Sequence, residues 1–511
     1  MTAPTTHAFD PVETTVADVH DAMADGRLTA AVLVDSYLAR IDAYDENLHA
    51  ILRVNDGARE RARTLDDRFE REGFVGPLHG VPIVLKDNQD THDMPTTAGS
   101  TALAESTPQR DAFVVEQLRD AGGIILAKAN LQELSFGVDT ISSLGGATRN
   151  AYDTDRRPAG SSGGTAVAIA ANLGTIGTGT DTCSSVRSPP AFTNLVGVRP
   201  TRGLVSRTGI VPLSETQDTA GPIARTVADA ARLLDVMAGY DPADPVTARG
   251  VGEVPAEGYV AHLDAAGLDG ARIGIARQFF GLRDGESAPE TDARAVTSVV
   301  EDAIEAMVSA GATIVDPVDV VDVDDIERAR VTTYEFARDV GRYLSGLGDG
   351  APHDSLVDVV ATGKLAPAVE SRIEAAGALD VEVASLDQNV AYLRRLRRRR
   401  ELRDGTLSRL ADHDLDALLY PPSRIPPVEI PAHQPFEEMN CELAAHTGLP
   451  AIVVPAGFTD EDDLPIGVEL LGRAFAEPRL FELAYAFEQA TGHRRPPSGF
   501  GSLDQLSQQY E

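Results

Sequence analysis

The stretch GSSGGTAVAIAANLGTIGTGTDTCSSVRSP, Gly160 to Pro189, holds two serine-bearing turns separated by an apolar run. A Gly-Ser-Ser-Gly-Gly loop leads into small residues, Ala166, Ala168, Ala170 and Ala171, which suit a tightly packed helix. A Gly-rich strand then ends in the second loop, so Ser161 and Ser185 are predicted on adjacent tight turns with their hydroxyls facing one another. Gly-Ser runs alone are common linkers, but the buried-looking helix pattern that follows argues against that reading here. GTGTDT fits neither the GxGxxG nor the GxxxxGK[ST] spacing, so this loop is not read as a nucleotide cradle.

A serine hydroxyl is a poor nucleophile until a base takes its proton. None of the eleven histidines lies near either serine loop in sequence, which points to Lys86 at the end of the apolar segment GVPIVLKDN. A free lysine titrates near ~10.4, so this role requires burial to lower its pKa. Val81, Ile83, Val84 and Leu85 form a strand that sets Lys86 at the edge of a core, with Asp87 and Asn88 read as turn formers. A lysine after a strand is commonly just a solvated end; its place among the other motifs is what singles this one out.

These segments resemble the amidase signature family, serine amidohydrolases with a Ser, cis-Ser, Lys triad. The likeness is carried by GVPIVLKDN, TTAGSTAL, LAKANLQELSFG, ATRNAYDTDRRPAGSSGGTA, GTDTCSSVRSPPAFTNLVGVRPT, GLPAIVVPAG and LPIGVELLG. The resemblance implies a three-layer α/β/α fold with a mixed central sheet covered by helices. It implies Ser185 as nucleophile, Ser161 as the bridging serine after a cis bond from Gly160, and Lys86 as base. It further implies an oxyanion hole from the N–H groups of Thr182, Cys183, Ser184 and Ser185, with Gly160, Ser162, Thr180 and Asp181 in support. The expected reaction is hydrolysis of a linear carboxamide to a carboxylate and ammonia or an amine, through an acyl-enzyme. Neither metal nor other cofactor is expected, and a homodimer is compatible with the family.

One departure stands out. Where the family usually has Gly-Gly before the nucleophile, this chain has Cys183-Ser184, expected to narrow the acyl pocket and to resist positive φ. Cys183 as the nucleophile is a rival assignment, which the position of Ser185 argues against. Two other functions stay open: the glutaminase (A) subunit of a tRNA-dependent Glu/Asp amidotransferase, and an inactive binding protein on the same fold. The TTYEFARDVGRYL segment, residues 332–344, favours a free-standing amidase over the amidotransferase component.

Composition sets bounds on partners and surroundings. Of 511 residues 42% are hydrophobic, ample for a large core, and the net charge is −34. Lysine occurs only at positions 86, 128 and 364 among 45 basic residues, a balance that resembles proteins of salt-loving organisms. Such acidity argues against nucleic acid or anionic membrane as partners, leaving a small-molecule amide. The Arg394–Arg400 run, RRLRRRR, is read as a solvated helix paired with Asp387, Glu401 and Asp404. With two cysteines, Cys183 and Cys441, no disulfide framework is expected, and with neither a basic, apolar leader nor an ~18-residue apolar run a cytoplasmic enzyme is expected.

Along the chain, residues 1–14 are predicted to be a disordered tail and 496–511 a second tail, with one domain over 15–495. Its catalytic core is placed at about 70–245 and a variable helical substrate region at about 320–410. Helices are expected first, from Val16, Val19, Met23, Leu28, Val32, Leu33 and Leu38. ARIGIARQF, ATIVDPVDV and AIVVPAG read as strands and APETDARAVTSVVEDAIEAMVSAG as an amphipathic helix, while DALLYP, AIVVPAG and a helix from about Glu477 to Gly492 are expected to close the fold.

Overall fold

The computed structural model describes residues 9–503. Its strands are β1 Ile51–Val54, β2 Pro82–Lys86, β3 Ile124–Ala129, β4 Ile141–Ser142, β5 Gly146–Ala147, β6 Ile176–Asp181, β7 Val196–Arg199, β8 Thr219–Ala224, β9 Arg272–Ile275, β10 Thr313–Val315, β11 Ala417–Tyr420, β12 Ala451–Phe458 and β13 Pro465–Leu471. All but the β4–β5 hairpin join one eleven-stranded sheet in the order β1-β3-β2-β6-β8-β7-β12-β13-β11-β9-β10. The β3-β2-β6 and β11-β9-β10 neighbours run parallel and the remaining pairs antiparallel. This is the expected mixed sheet, and helices cover it. Its central strands read as continuous apolar or small-residue runs because both faces are buried.

The helix Gly163–Ala170 is buried along its whole length and packs on β2 and β6. Only small residues allow this: a Cβ on Gly164 would come within 2.1 Å of the Asn130 carbonyl oxygen. Elsewhere Val227–Met237, Glu290–Ser309 and Glu477–Thr491 lay apolar faces onto the sheet and onto one another. Thr226 caps the first of these by accepting from the Asp229 amide, as Ser, Thr, Asp and Asn do at helix starts.

Several expectations need adjustment. Residues 1–8 and 504–511 of the predicted tails lie outside the described residues. From Phe9 onward the chain is packed: the Glu13 amide donates to Asn172 Oδ1 at 2.8 Å, and the Glu13 carboxylate pairs with Arg494 at 2.7 Å. Phe500 is likewise buried, against Tyr44. Val32, assigned above to the apolar stripe of the first helices, is exposed, and Leu28 lies between two helices, Val16–Ala24 and Ala30–Leu48. The arginine run does form a helix, Val390–Asp412, but Arg399 is buried, Arg398 pairs with Asp325, and Asp387 pairs with none of the run. Glu401 does pair, with Arg397 at 2.9 Å. Among the described residues no helix is long and apolar enough to cross a membrane.

Candidate active site

Strands β2 and β6 are parallel neighbours, so their carboxyl ends, carrying Lys86 and Asp181, emerge at the same edge of the sheet. Ligands in open α/β sheets collect at such ends. The register pairs Leu85 with Thr178, which brings Lys86 alongside the end of β6. Lys86 Nζ lies 2.7 Å from Ser161 Oγ and 2.7 Å from Thr180 Oγ1, and Asn88 Nδ2 donates to that same threonine oxygen at 3.0 Å. The lysine is fully buried. Burial pulls its pKa down to about 7 against the opposing attraction of Asp181 and Asp218.

The bond from Gly160 to Ser161 is cis. Its loop is pinned from two sides: Thr140 Oγ1 donates to the Ala159 carbonyl at 2.7 Å and the Gln132 amide donates to the Ser161 carbonyl at 3.0 Å. Ser162 Oγ donates to the Thr180 carbonyl at 3.3 Å, tying the first serine loop to β6. No hydrogen bond joins Ser161 Oγ to Ser185 Oγ within the described residues.

The second serine loop hangs from a buried ionic network. Asp181 accepts from the Val186 amide and from Arg187 at 3.2 Å and from Arg199 at 2.5 Å; Arg187 also donates to Glu469 at 2.6 Å, and Tyr420 donates to Glu469 at 2.7 Å. Burial alone would raise the Asp181 pKa, but Arg187 and Arg199 outweigh it and hold the carboxyl below its ordinary range. Thr182 is fixed separately, its hydroxyl donating to Asp218 at 2.6 Å and its carbonyl accepting from Gln217 at 2.8 Å. The amides of Thr182, Cys183, Ser184 and Ser185 donate no hydrogen bond within the described residues, which leaves them free for a ligand oxygen.

Ser185 opens onto a cavity of 460 Å³, with Thr182 and Cys183 beside it and Phe136, Leu213 and Phe436 among the apolar walls. Arg330, Thr332, Thr333 and Arg372, from the region expected to be variable, complete the rim. Arg372 is held by Asp139 at 3.2 Å and rests on Gly137, where a Cβ would stand 1.8 Å from its guanidinium. Cavity-lining Arg330 is paired with Glu442.

Cys183 and Ser184 behave differently from expectation. Neither takes positive φ. Ser184 does not line the cavity; its Oγ accepts from Ser188 Oγ at 2.8 Å. Cys183 does line it, but as half of a disulfide with Cys441, Cα–Cα 4.9 Å, across 258 positions. The expectation of no disulfide is therefore corrected, and with its sulfur bonded Cys183 has no thiol to act as nucleophile. The sequence carries no signal for the pairing, since two lone cysteines make no framework.

Reading by motif also passes over Asn88, Thr140, Gln132, Gln217, Asp218, Arg187 and Glu469 as partners within the site. Arg187 and Glu469 lie inside the quoted segments GTDTCSSVRSPPAFTNLVGVRPT and LPIGVELLG, and for Glu469 a charged residue within an apolar strand is the available signal.

Known proteins show the same arrangement of chain. A probable amidase of Arabidopsis thaliana is 34% identical over 502 residues, covering 96% of this chain and 92% of the relative. The glutamyl-tRNA(Gln) amidotransferase A component of Streptomyces coelicolor is 33% identical over 500 residues, covering 94% and 96%. The crystal structure of native peptide amidase from Stenotrophomonas maltophilia matches with a TM-score of 0.84 at 38% identity, covering 95% of this chain and 98% of that one. With the Amidase family model matching residues 32–481 as well, the chain belongs to the Amidase family and is a hydrolase of amide C–N bonds.

Proposed function

We propose that Ser185, Ser161 and Lys86 carry the hydrolysis as a relay. Neutral Lys86 takes the proton of Ser161, which takes that of Ser185 as its Oγ attacks the amide carbonyl. The unengaged amides of Thr182 to Ser185 receive the charge that develops on the carbonyl oxygen. Ser161 returns its proton to the leaving nitrogen, and water then cleaves the acyl-enzyme by the same relay in reverse. The observation that carries this reading is a buried lysine amine, its pKa near 7, at 2.7 Å from a serine hydroxyl. Asp181, clamped by two arginines, serves to hold the Ser185 loop in place.

The substrate class that the cavity and the peptide amidase likeness support is a linear carboxamide of peptide type, with its acyl part among Phe136, Leu213 and Phe436. The isolated chain is expected to release ammonia from such amides without partner proteins; ammonia release only from glutamine and only with partner proteins would favour the amidotransferase reading. Ser185→Ala is expected to lower kcat by roughly 10⁴-fold or more, with loss of fluorophosphonate labelling, whereas Ser184→Ala keeps measurable turnover. An active Ser185→Ala variant would sink the assignment.

A further inference from the structure

The arginine-rich helix Val390–Asp412 turns Arg399, Arg400 and Arg403 toward Arg202 and Arg249 around a single cavity of 560 Å³, distinct from the one at Ser185. Its lining also includes His446 and contains no carboxylate, although acidic residues outnumber basic ones by 79 to 45 over the chain. Chance placement would have brought acids here first. Arg187 and Arg424 sit on carboxylates, whereas the buried Arg40, Arg157 and Arg225 are each held by backbone carbonyls. Arg202, Arg249, Arg399 and Arg400 pair with no carboxylate among the described residues, and Arg403 reaches only its neighbour Asp404, at 3.8 Å.

The charges of Arg399 and Arg202 are placed by backbone carbonyls, with no carboxylate in the cavity lining. Arg399 is anchored by the carbonyls of His446, Thr216 and Ala445 at 3.1 Å each. Arg202 donates to the Glu215 carbonyl at 3.1 Å, while its Nε is buried without any partner. Burial, with Arg207 and Arg249 adding repulsion, pulls Arg202 down to about 10; burial likewise pulls Arg399 to about 10, with Arg202 and Arg199 opposing the attraction of Glu335. Planar guanidinium forks in a carboxylate-free pocket match phosphoryl oxygens, which accept two parallel N–H bonds. The cavity also has apolar walls, with Leu396, Leu407, Leu449 and Phe475. A bare inorganic ion would leave those walls unused.

We propose that this cavity binds a phosphate ester bearing two or more phosphoryl groups, their oxygens on Arg202, Arg249 and Arg400 and the organic part against Leu407, Leu449 and Phe475. The site is separate from the hydrolytic residues, so its failure would leave the amidase reading untouched. Calorimetric titration of the full chain, in salt sufficient to keep it folded, uses ADP and inorganic pyrophosphate as probes. The expected result is saturable one-to-one binding of ADP, weaker binding of pyrophosphate, and at least a tenfold loss of ADP affinity in Arg249→Ser/Arg400→Ser. Both side chains are exposed, so the thermal melt and amide turnover of that variant should match the native chain. Arg400→Glu, a single exposed change on the helix, gives an independent reading and is expected to abolish ADP binding. Absence of saturable ADP binding, affinity unchanged in either variant, or pyrophosphate binding as tightly as ADP would overturn the proposal.

Discussion

At the scale of single residues, the proposed relay makes two opposing demands of Lys86. The lysine must be buried to be neutral near pH 7, and its burial costs stability. The unfolded chain holds that proton up to about the ordinary value of 10.5, whereas the fold releases it near 7. The fold therefore binds fewer protons between those limits, so the cost is present in full below pH 7 and fades as pH rises toward 10.5. Amide kcat/KM should fall about tenfold per pH unit below about 7 and level off above it, because only the neutral amine accepts a proton. His446 lines the Ser185 cavity as well as the arginine cavity, but burial, with Arg399 and Arg330 nearby, keeps it neutral well below that range, so it should not produce this limb. Lys86→Met should be inactive at every pH, and its stability relative to the native chain should decline between pH 7 and pH 10 in denaturant titrations. Lys86→Arg should also fail, since a guanidinium does not give up its proton there.

At the scale of elements, the Ser185 loop is fixed by two devices that meet where Arg187 donates to the Cys441 carbonyl at 3.0 Å. The first is the buried network of Asp181, Arg187, Arg199 and Glu469. Removing one partner strands the opposite charges in a medium that cannot hydrate them, and Arg187→Met should lose about 3–5 kcal/mol of stability by denaturant unfolding, together with most activity. Stability equal to the native chain would show that the network contributes nothing net. The second device is the Cys183–Cys441 bridge, which ties the loop to the start of the helix Glu442–Thr447. Because 258 positions separate the two cysteines, the bridge restricts the unfolded chain strongly, and Cys183→Ala/Cys441→Ala should cost on the order of 3–5 kcal/mol. Thiol titration of the denatured, unreduced protein should find no free thiol.

At the scale of the whole molecule, charge dominates. The net charge is −34, and of three lysines Lys86 and Lys128 are buried, so Lys364 is the one at the surface. Lys128 is held inside by Asp87 at 2.9 Å, which also explains why Asp87 is more than a turn former. Mutual repulsion of surface carboxylates falls as salt shortens the screening length from ~10 Å at 0.1 M to ~3 Å at 1 M. The melting temperature should rise steeply with KCl toward molar concentrations, and amide turnover should follow the same curve. Identical melts at low and at 3 M salt would remove the salt-loving reading.

The fold class was legible in the sequence through its resemblance to a known family, with which the apolar and small-residue runs agree. Strands β9, β10 and β12 and the helix Glu290–Ser309 announce themselves by periodicity alone, while the roles proposed for Ser161, Lys86 and Ser185 come from family likeness. The sequence by itself also determined the charge and the scarcity of lysine, which are sums over residues and need no geometry. Only the tertiary structure decided what depends on distance between remote positions. The Cys183–Cys441 bridge, the clamp of Glu469 on Arg187 and the meeting of Arg202 with Arg399 join residues from 197 to 282 positions apart, and no local pattern encodes such pairings. The same holds for Ser184, whose hydroxyl turns to Ser188 and away from the cavity. Which way a side chain points at the end of a strand is set by the loop that receives it, and that loop is placed by the rest of the sheet.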